Sequence, residues 1–164
     1  MARWPAGVPL LVVLFALAAT GCGEGGAEEG ARLNVYVSAP LSGAEADAGQ
    51  RACDEARRGA RRAGEPGGFE LRVVCLDAAG PGGRWTLARV GANARRATED
   101  STAVAYLAEP EPAVRRWSLP IVEAAGIAEL GGLSGEEAVA EVAAAIEESD
   151  SSDPRQAVFD AVEG

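Results

Sequence analysis

The feature that most constrains the fold is a repeated change of hydrophobic period between residues 33 and 130. Leu33–Ser38 (LNVYVS) sets Leu33, Val35 and Val37 against Asn34 and Tyr36, the two-residue period of a strand with one strongly apolar face. Ala46–Ala63 then carries Ala52, Cys53, Ala56, Ala60 and Ala63 at helical spacing, with paired arginines opposite. Its inner face is built of small side chains, so this helix packs closely against whatever it covers. Gly64–Gly68 breaks it, Phe69–Leu76 reads as a second strand, and Asp77–Gly83 is a Gly/Pro loop. Leu87, Val90, Ala94 and Ala97 mark a second amphipathic helix with Thr86 as its N-cap. Thr102–Leu107 is an almost continuous apolar run, as expected of a buried parallel strand. A third helix is predicted from near Ala113 to before Gly126, with Pro120 placed to kink or split it. Ile127–Leu130 reads as a short fourth strand. Such alternation implies right-handed βαβ units and a parallel sheet covered on both faces, an open α/β lobe.

The last residues lose the strand period. Ser134-x-x-Glu137 has the form of a capping box, opening a helix with Val139, Val142, Ala143 and Ile146 on one face. Asp153-Pro154-x-Gln156 supplies an N-cap, a proline at the first helical position and a partner three residues on, predicting a final helix through Val162. The expected division is therefore an α/β lobe over residues 32–132 and a C-terminal helical pair over 133–164, appended to the lobe and packing on it.

Residues 1–21 read as an address. One base, Arg3, precedes an apolar stretch from Val8 to Ala19, too short for the roughly 20 residues a membrane-spanning helix needs. Ala19-Thr20-Gly21-Cys22 resembles the lipobox of bacterial lipoproteins, in which the cysteine is lipidated and becomes the first mature residue; an ordinary cleaved signal with an incidental cysteine is the other reading. The resemblance implies lipid attachment at Cys22, an extracytoplasmic location at the cell membrane held by that lipid anchor alone, and a flexible tether over residues 22–31, rich in Gly and Glu. Gly21 to Gly26 also spells GxGxxG. That fingerprint works only between a strand and a helix, so here it has no dinucleotide meaning.

Composition removes most enzyme chemistry. The chain has no histidine, and all 15 of its basic residues are arginine. This excludes Ser-His-Asp and Cys-His nucleophile systems, His-ligated metals, Schiff-base lysines and the phosphate-loop motif. A net charge of −10 argues against nucleic acid and against polybasic attachment to lipid. No cofactor and no metal site are expected, and three cysteines without histidine do not make a zinc site.

The run Val35–Gly43 (VYVSAPLSG) resembles the opening strand of the leucine/isoleucine/valine-binding proteins, type I periplasmic binding proteins of ABC importers. Cys75-Leu76-Asp77, Trp85, Asn93-Ala94-Arg95, Asp100–Leu107, Leu119-Pro120-Ile121 and Ala125-Gly126-Ile127 follow in that family's order. Gly135–Ala138 and Pro154–Val158 resemble two helices found much later in it. The resemblance thus covers nearly the whole mature chain in two pieces, with a large middle portion absent between about Leu130 and Ser134. It implies a single periplasmic-binding-protein-like lobe, a small amino-acid-like ligand or an ABC permease as partner, and a cleft at the strand ends lined by Ser38, Leu41, Ser42, Asp77, Trp85 and Glu109.

The departures bear on function. The family closes two lobes on its ligand, and this chain has one. Where the family carries a serine for the ligand carboxylate, the matching stretch is Ala108-Glu109-Pro110-Glu111-Pro112. Pro112 stands in the serine's place, both prolines lack an N–H, and the two glutamates repel a carboxylate. Gly131-Gly132-Leu133 replaces the Ser/Thr loop after the fourth strand. The expectation is a reduced, lipid-anchored solute-binding-like protein with a degraded ligand site, and not an enzyme. The alternative is an interaction or vestigial single-lobe lipoprotein with no transport role.

Other residues have plainer readings. Cys53 and Cys75 fall on a helix and a strand that should pack together, and outside the cytoplasm they form either a disulfide or two buried thiols. Asp77, Glu109 and Glu111 read as solvated loop acids rather than a glycosidase pair. Arg57-Arg58 and Arg61-Arg62 read as a solvated face pairing with acids, and Trp85 and Trp117 as core or loop anchors.

Overall fold

The computed structural model describes residues 31–109 and 111–164. The expected signal segment, the expected lipid attachment at Cys22 and the expected tether up to residue 30 fall, with Pro110, outside the described residues.

The predicted alternation is the observed one: β1 (Arg32–Ala39), α1 (Ala46–Ala63), β2 (Glu70–Asp77), α2 (Leu87–Thr98), β3 (Ala103–Leu107), α3 (Pro112–Glu123), β4 (Ala128–Leu130), α4 (Gly135–Glu148) and α5 (Pro154–Glu163). The strands form one parallel sheet in the order β2-β1-β3-β4. Val35 lies opposite both Val73 of β2 and Ala105 of β3, and Tyr106 lies opposite Glu129 of β4. Helices α1, α4 and α5 cover one face; α2 and α3 cover the other. The architecture is an α/β lobe with an open four-stranded parallel sheet.

A central strand in such a sheet has no solvated face. Leu33, Val35 and Val37 of β1 pack under α1, α4 and α5, while Tyr36 and Ser38 are equally buried on the α2 side. The strongly apolar face read for β1 is the one under α1, α4 and α5. Tyr36 and Ser38 are buried with partners, and the half-buried Asn34 shares one of them. Tyr36 Oη and Asn34 Nδ2 each donate to Asp100 Oδ2 at 2.7 Å, and Asn93 Nδ2 donates to Ser38 Oγ at 3.0 Å. Burial would raise the Asp100 carboxyl, but hydrogen bonds from Thr102, Tyr36 and Asn34 outweigh it and hold it at about 2.

The small-residue face of α1 does what it predicts. Gly49, Cys53, Ala56, Gly59 and Ala60 are buried on it, and α4 lies directly against them. Arg58 and Arg62 reach across to Glu136 of α4 and Arg57 pairs with Asp54, so three of the four arginines of this strip are paired as expected. Thr86 Oγ1 accepts from Arg89 N, and the Ser134/Glu137 capping box is formed in both directions.

Two local expectations are settled more finely. Of the two outcomes expected at Pro120 the split does not form, because α3 runs unbroken from Pro112 to Glu123 with Pro120 inside it. Pro120 and Arg116 are both exposed, so the carbonyl that the missing N–H leaves free is on the solvent side of the helix. At α5, Asp153 caps the amides of Arg155 and Gln156, but the Gln156 side chain turns forward to Asp160 instead of back to the cap. The C-terminal pair completes the sheet's cover: Val139, Val142 and Val158 are fully buried, and Arg155 donates to the carbonyls of Ala103 and Asp100.

Candidate functional site

Because all four strands are parallel, their carboxyl ends share one edge, and the strand order makes that edge special. The chain leaves β1 for β2 on one side and reaches β3 on the other, so the connections diverge between β1 and β3. In open α/β sheets, ligands bind in the crevice at such a divergence. A cavity of about 410 Å³ sits there. Its floor is the ends of β1, β3 and β4 (Val37–Pro40, Leu107–Glu109 and Leu130). One wall is the first turns of α1, and the other is the start of α4 at Leu133–Gly135.

Only two of the six predicted cleft residues reach this wall, Ser38 and Glu109. Ser38 contributes little chemistry, since its hydroxyl accepts from Asn93 beneath α2. Leu41, Ser42 and Asp77 come together, but as a clasp between two loops. Asp77 accepts from Leu41 N at 2.8 Å, Ser42 Oγ at 2.7 Å and Ala79 N at 2.9 Å. Burial opposes its charge, yet these hydrogen bonds and Arg89 hold its carboxyl below the usual range. Trp85 packs with Ala78, Val90 and Val114, and its Nε1 donates to Glu111 Oε2 at 3.2 Å. Leu41, Ser42, Asp77 and Trp85 thus lie on the same carboxyl edge, where they brace the loops beside this cavity rather than line it.

Glu109 differs from the solvated loop acid expected. It is 9% exposed, and its Oε1 is buried without a hydrogen-bond partner. Burial first, then the charges of Glu45 and Glu111, push its carboxyl up to about 7. Glu45, from the turn before α1, is held by Arg84 at 3.1 Å. Glu55 of α1 also lines the cavity and forms no ion pair among the described residues.

Sequence reading missed Glu45, Glu55, Ala52 and Gly135. The signal for the last two was present in the small-residue spacing of α1, which announces a close neighbour without saying that the neighbour is the start of α4. Pro112 is the first residue of α3, where it removes an amide donor from a helix start on the carboxyl edge, and Glu111 caps that helix with no side-chain hydrogen bond.

Cys53 and Cys75 are joined as a disulfide between α1 and β2, their Cα atoms 6.1 Å apart. Among the described residues, no three His, Cys, Asp or Glu side chains are grouped to hold a metal ion, and no helix is long and apolar enough to cross a membrane.

Neither a protein-family model nor a curated protein matches the sequence. Two solved structures are similar to this one. The first is described as a "putative branched-chain amino acid ABC transporter" from Rhodospirillum rubrum, with 20% identity, a TM-score of 0.51, and coverage of 67% of this chain and 32% of that one. The second is described as a "possible leucine/isoleucine/valine-binding protein" from Rhodopirellula baltica SH 1, with 20% identity, a TM-score of 0.46, and coverage of 60% and 26%. This chain therefore spans about a third of the length of the first structure. In fold, the protein is similar to one lobe of the branched-chain amino-acid-binding periplasmic proteins.

Proposed function

We propose that this protein is an extracytoplasmic solute-binding-like lobe, tethered to the cell membrane through a lipid on Cys22, whose carboxyl-edge crevice is a ligand surface no longer suited to branched-chain amino acids. The observation that carries the reading is the cavity at the β1/β3 divergence of a parallel sheet similar to one binding-protein lobe. Binding suits this site better than catalysis, since the similar structure from Rhodospirillum rubrum is described as an ABC transporter and no His or Lys is present.

Three losses weigh against a working leucine site. The described residues form one lobe and supply nothing opposite the crevice to close over a ligand, Pro112 removes a hydroxyl and an amide donor at the α3 start, and Glu109 and Glu111 set negative charge where a carboxylate would lie. A hydrogen bond to a charged group contributes about 1.5–3 kcal/mol, and each 1.4 kcal/mol is about tenfold in dissociation constant. Losing both the hydroxyl and the amide at Pro112, about 3–6 kcal/mol together, moves a micromolar site to the millimolar range or beyond. Calorimetric titration of the full chain with leucine, isoleucine and valine is expected to show no saturable micromolar binding. Such binding by any of the three would overturn this account of the site.

The anchor is tested separately. Metabolic labelling with an acyl probe is expected to mark the wild-type chain and not Cys22→Ser, and equal labelling of both would remove the anchor from the proposal.

A further inference from the structure

Charge is divided unevenly between the two helical layers. The outward side of α2 carries Arg89, Arg95 and Arg96 with no acid among them, and that of α3 carries Arg116. All four are exposed, and none forms an ion pair among the described residues. Asp77, near Arg89, is already held by Leu41, Ser42 and Ala79, and Glu99, Glu111 and Glu123 stand at the helix ends. Across the sheet the sign reverses. Helix α4 carries Glu136, Glu137, Glu141, Glu147 and Glu148 and no base, and the last three form no ion pair among the described residues. The net charge of −10 therefore conceals one cationic layer and one anionic layer.

Each layer also holds half of an apolar fit. Trp117, read from sequence as a core or loop anchor, stands 54% exposed beside Arg116, and Leu87 is exposed at the start of α2. A lone exposed apolar side chain is ordinary, but this one has a counterpart on the other side of the molecule. A groove of about 350 Å³ runs between α1 and α4, lined by Ala63, Ala140, Ala143 and Ala144 and bordered by Glu136 and Glu147. Ala140 and Ala144 are exposed, so an entering side chain reaches the groove from solvent.

We propose that the α2/α3 layer docks on the α1/α4 groove of a second copy of this chain, with Trp117 seated among the alanines and Arg116 and the α2 arginines facing the glutamates of α4. The two surfaces lie on opposite sides of the sheet, so the contact is heterologous: each copy offers an indole on one side and a groove on the other, and copies add head to tail. An enclosed indole buries roughly 150–250 Å², and the facing charges decide which layers meet.

A second copy is the occupant because it satisfies both layers at once. An anionic lipid surface would match the arginines and the indole but would leave the glutamate-bordered groove empty, and a like layer of another copy would set arginine against arginine. No residue lining the groove lines the carboxyl-edge crevice, so this contact stands apart from the ligand reading and leaves the crevice open.

The test is sedimentation of the full chain in density-matched detergent, from about 10 µM to 1 mM. The wild type is expected to form species that lengthen with concentration, and raising the ionic strength from about 0.05 to 0.5 M is expected to weaken association about tenfold, because the facing charges are exposed. Trp117→Ala removes the indole and keeps the groove; Ala144→Arg blocks the groove with a like charge and keeps the indole. Both sites are exposed, so both variants should fold, which thermal unfolding checks. Each variant alone is expected to remain a single copy, and an equal mixture of the two is expected to give a dimer and nothing larger, since one indole and one groove remain. A wild type that stays single throughout, or association undiminished in Trp117→Ala, overturns the proposal. Failure of the mixed variants to pair overturns the head-to-tail contact. A wild type that stays single in detergent but sediments with phosphatidylglycerol vesicles, and loses this in Trp117→Ala, overturns it in favour of a lipid surface.

Discussion

Opening the Cys53–Cys75 bridge is expected to lower the stability of the lobe by about 3 kcal/mol, the chain-entropy value for a loop of this length. The bond ties α1 to β2 across a sequence separation of 22 residues. Strand β2 is where such a tie matters most, because it lies at the sheet's edge and pairs with β1 alone. Cys53 is 2% exposed, so the reduced thiol stays packed as a small apolar group, and the change falls mainly on the freedom of the unfolded chain. Urea denaturation of oxidised and reduced protein, with the Cys53→Ala/Cys75→Ala double variant as a third sample, reads the effect directly. In a thermal scan the same loss corresponds to a drop of roughly 10 °C for a domain of this size. Coincident midpoints in the oxidised and reduced samples would show that the bridge contributes nothing.

Gly135→Val is expected to cost a similar amount, about 3 kcal/mol, the upper end of overpacking effects. The start of α4 rests on the backbone of α1, and a Cβ at Gly135 would collide with the Ala52 carbonyl and stand 2.7 Å from Ala56 N. Backbone atoms cannot swing aside as a side chain does. Helix α4 would have to lift, loosening Ala138, Val139 and Val142 from the core they share with Val35 and Val37. Gly59 is the built-in comparison. A Cβ there would stand 3.0 Å from the Val139 Cβ and 3.2 Å from the Glu136 backbone, so Gly59→Ala is expected to be markedly milder. Chemical denaturation of both variants checks the order. Full stability in Gly135→Val would mean that α4 does not sit on α1, and that residues 133–164 are not part of this core.

Much of the fold was legible from sequence because it depends on neighbours within a turn or two. The strand and helix limits lie within about two residues of those read from periodicity, and the N-caps at Thr86, Ser134 and Asp153 form, though only Ser134 gains the reciprocal partner its spacing predicts. Each cap joins a side chain to an amide two or three residues on, so the relevant geometry is contained in the local sequence. Parallel strand direction follows as well, since a helix between successive strands returns the chain to its starting edge.

What only tertiary structure decided is which of those residues meet. Ser38 and Val37 are adjacent in sequence, but the pleat sends one to Asn93 and the other to the α1 core. Asp77 and Glu109 look alike as acids following strands. Yet Asp77 is surrounded by donors from the loop after β1, and Glu109 faces a cavity whose walls come from α1 and α4, so one carboxyl is held low and the other driven high. A carboxylate's acidity depends on the donors, charges and solvent within a few ångströms, and at Glu109 those come from segments far apart along the chain. Periodicity carries the element and its cap; the environment of a buried charge exists only once the sheet and both helical layers have closed around it.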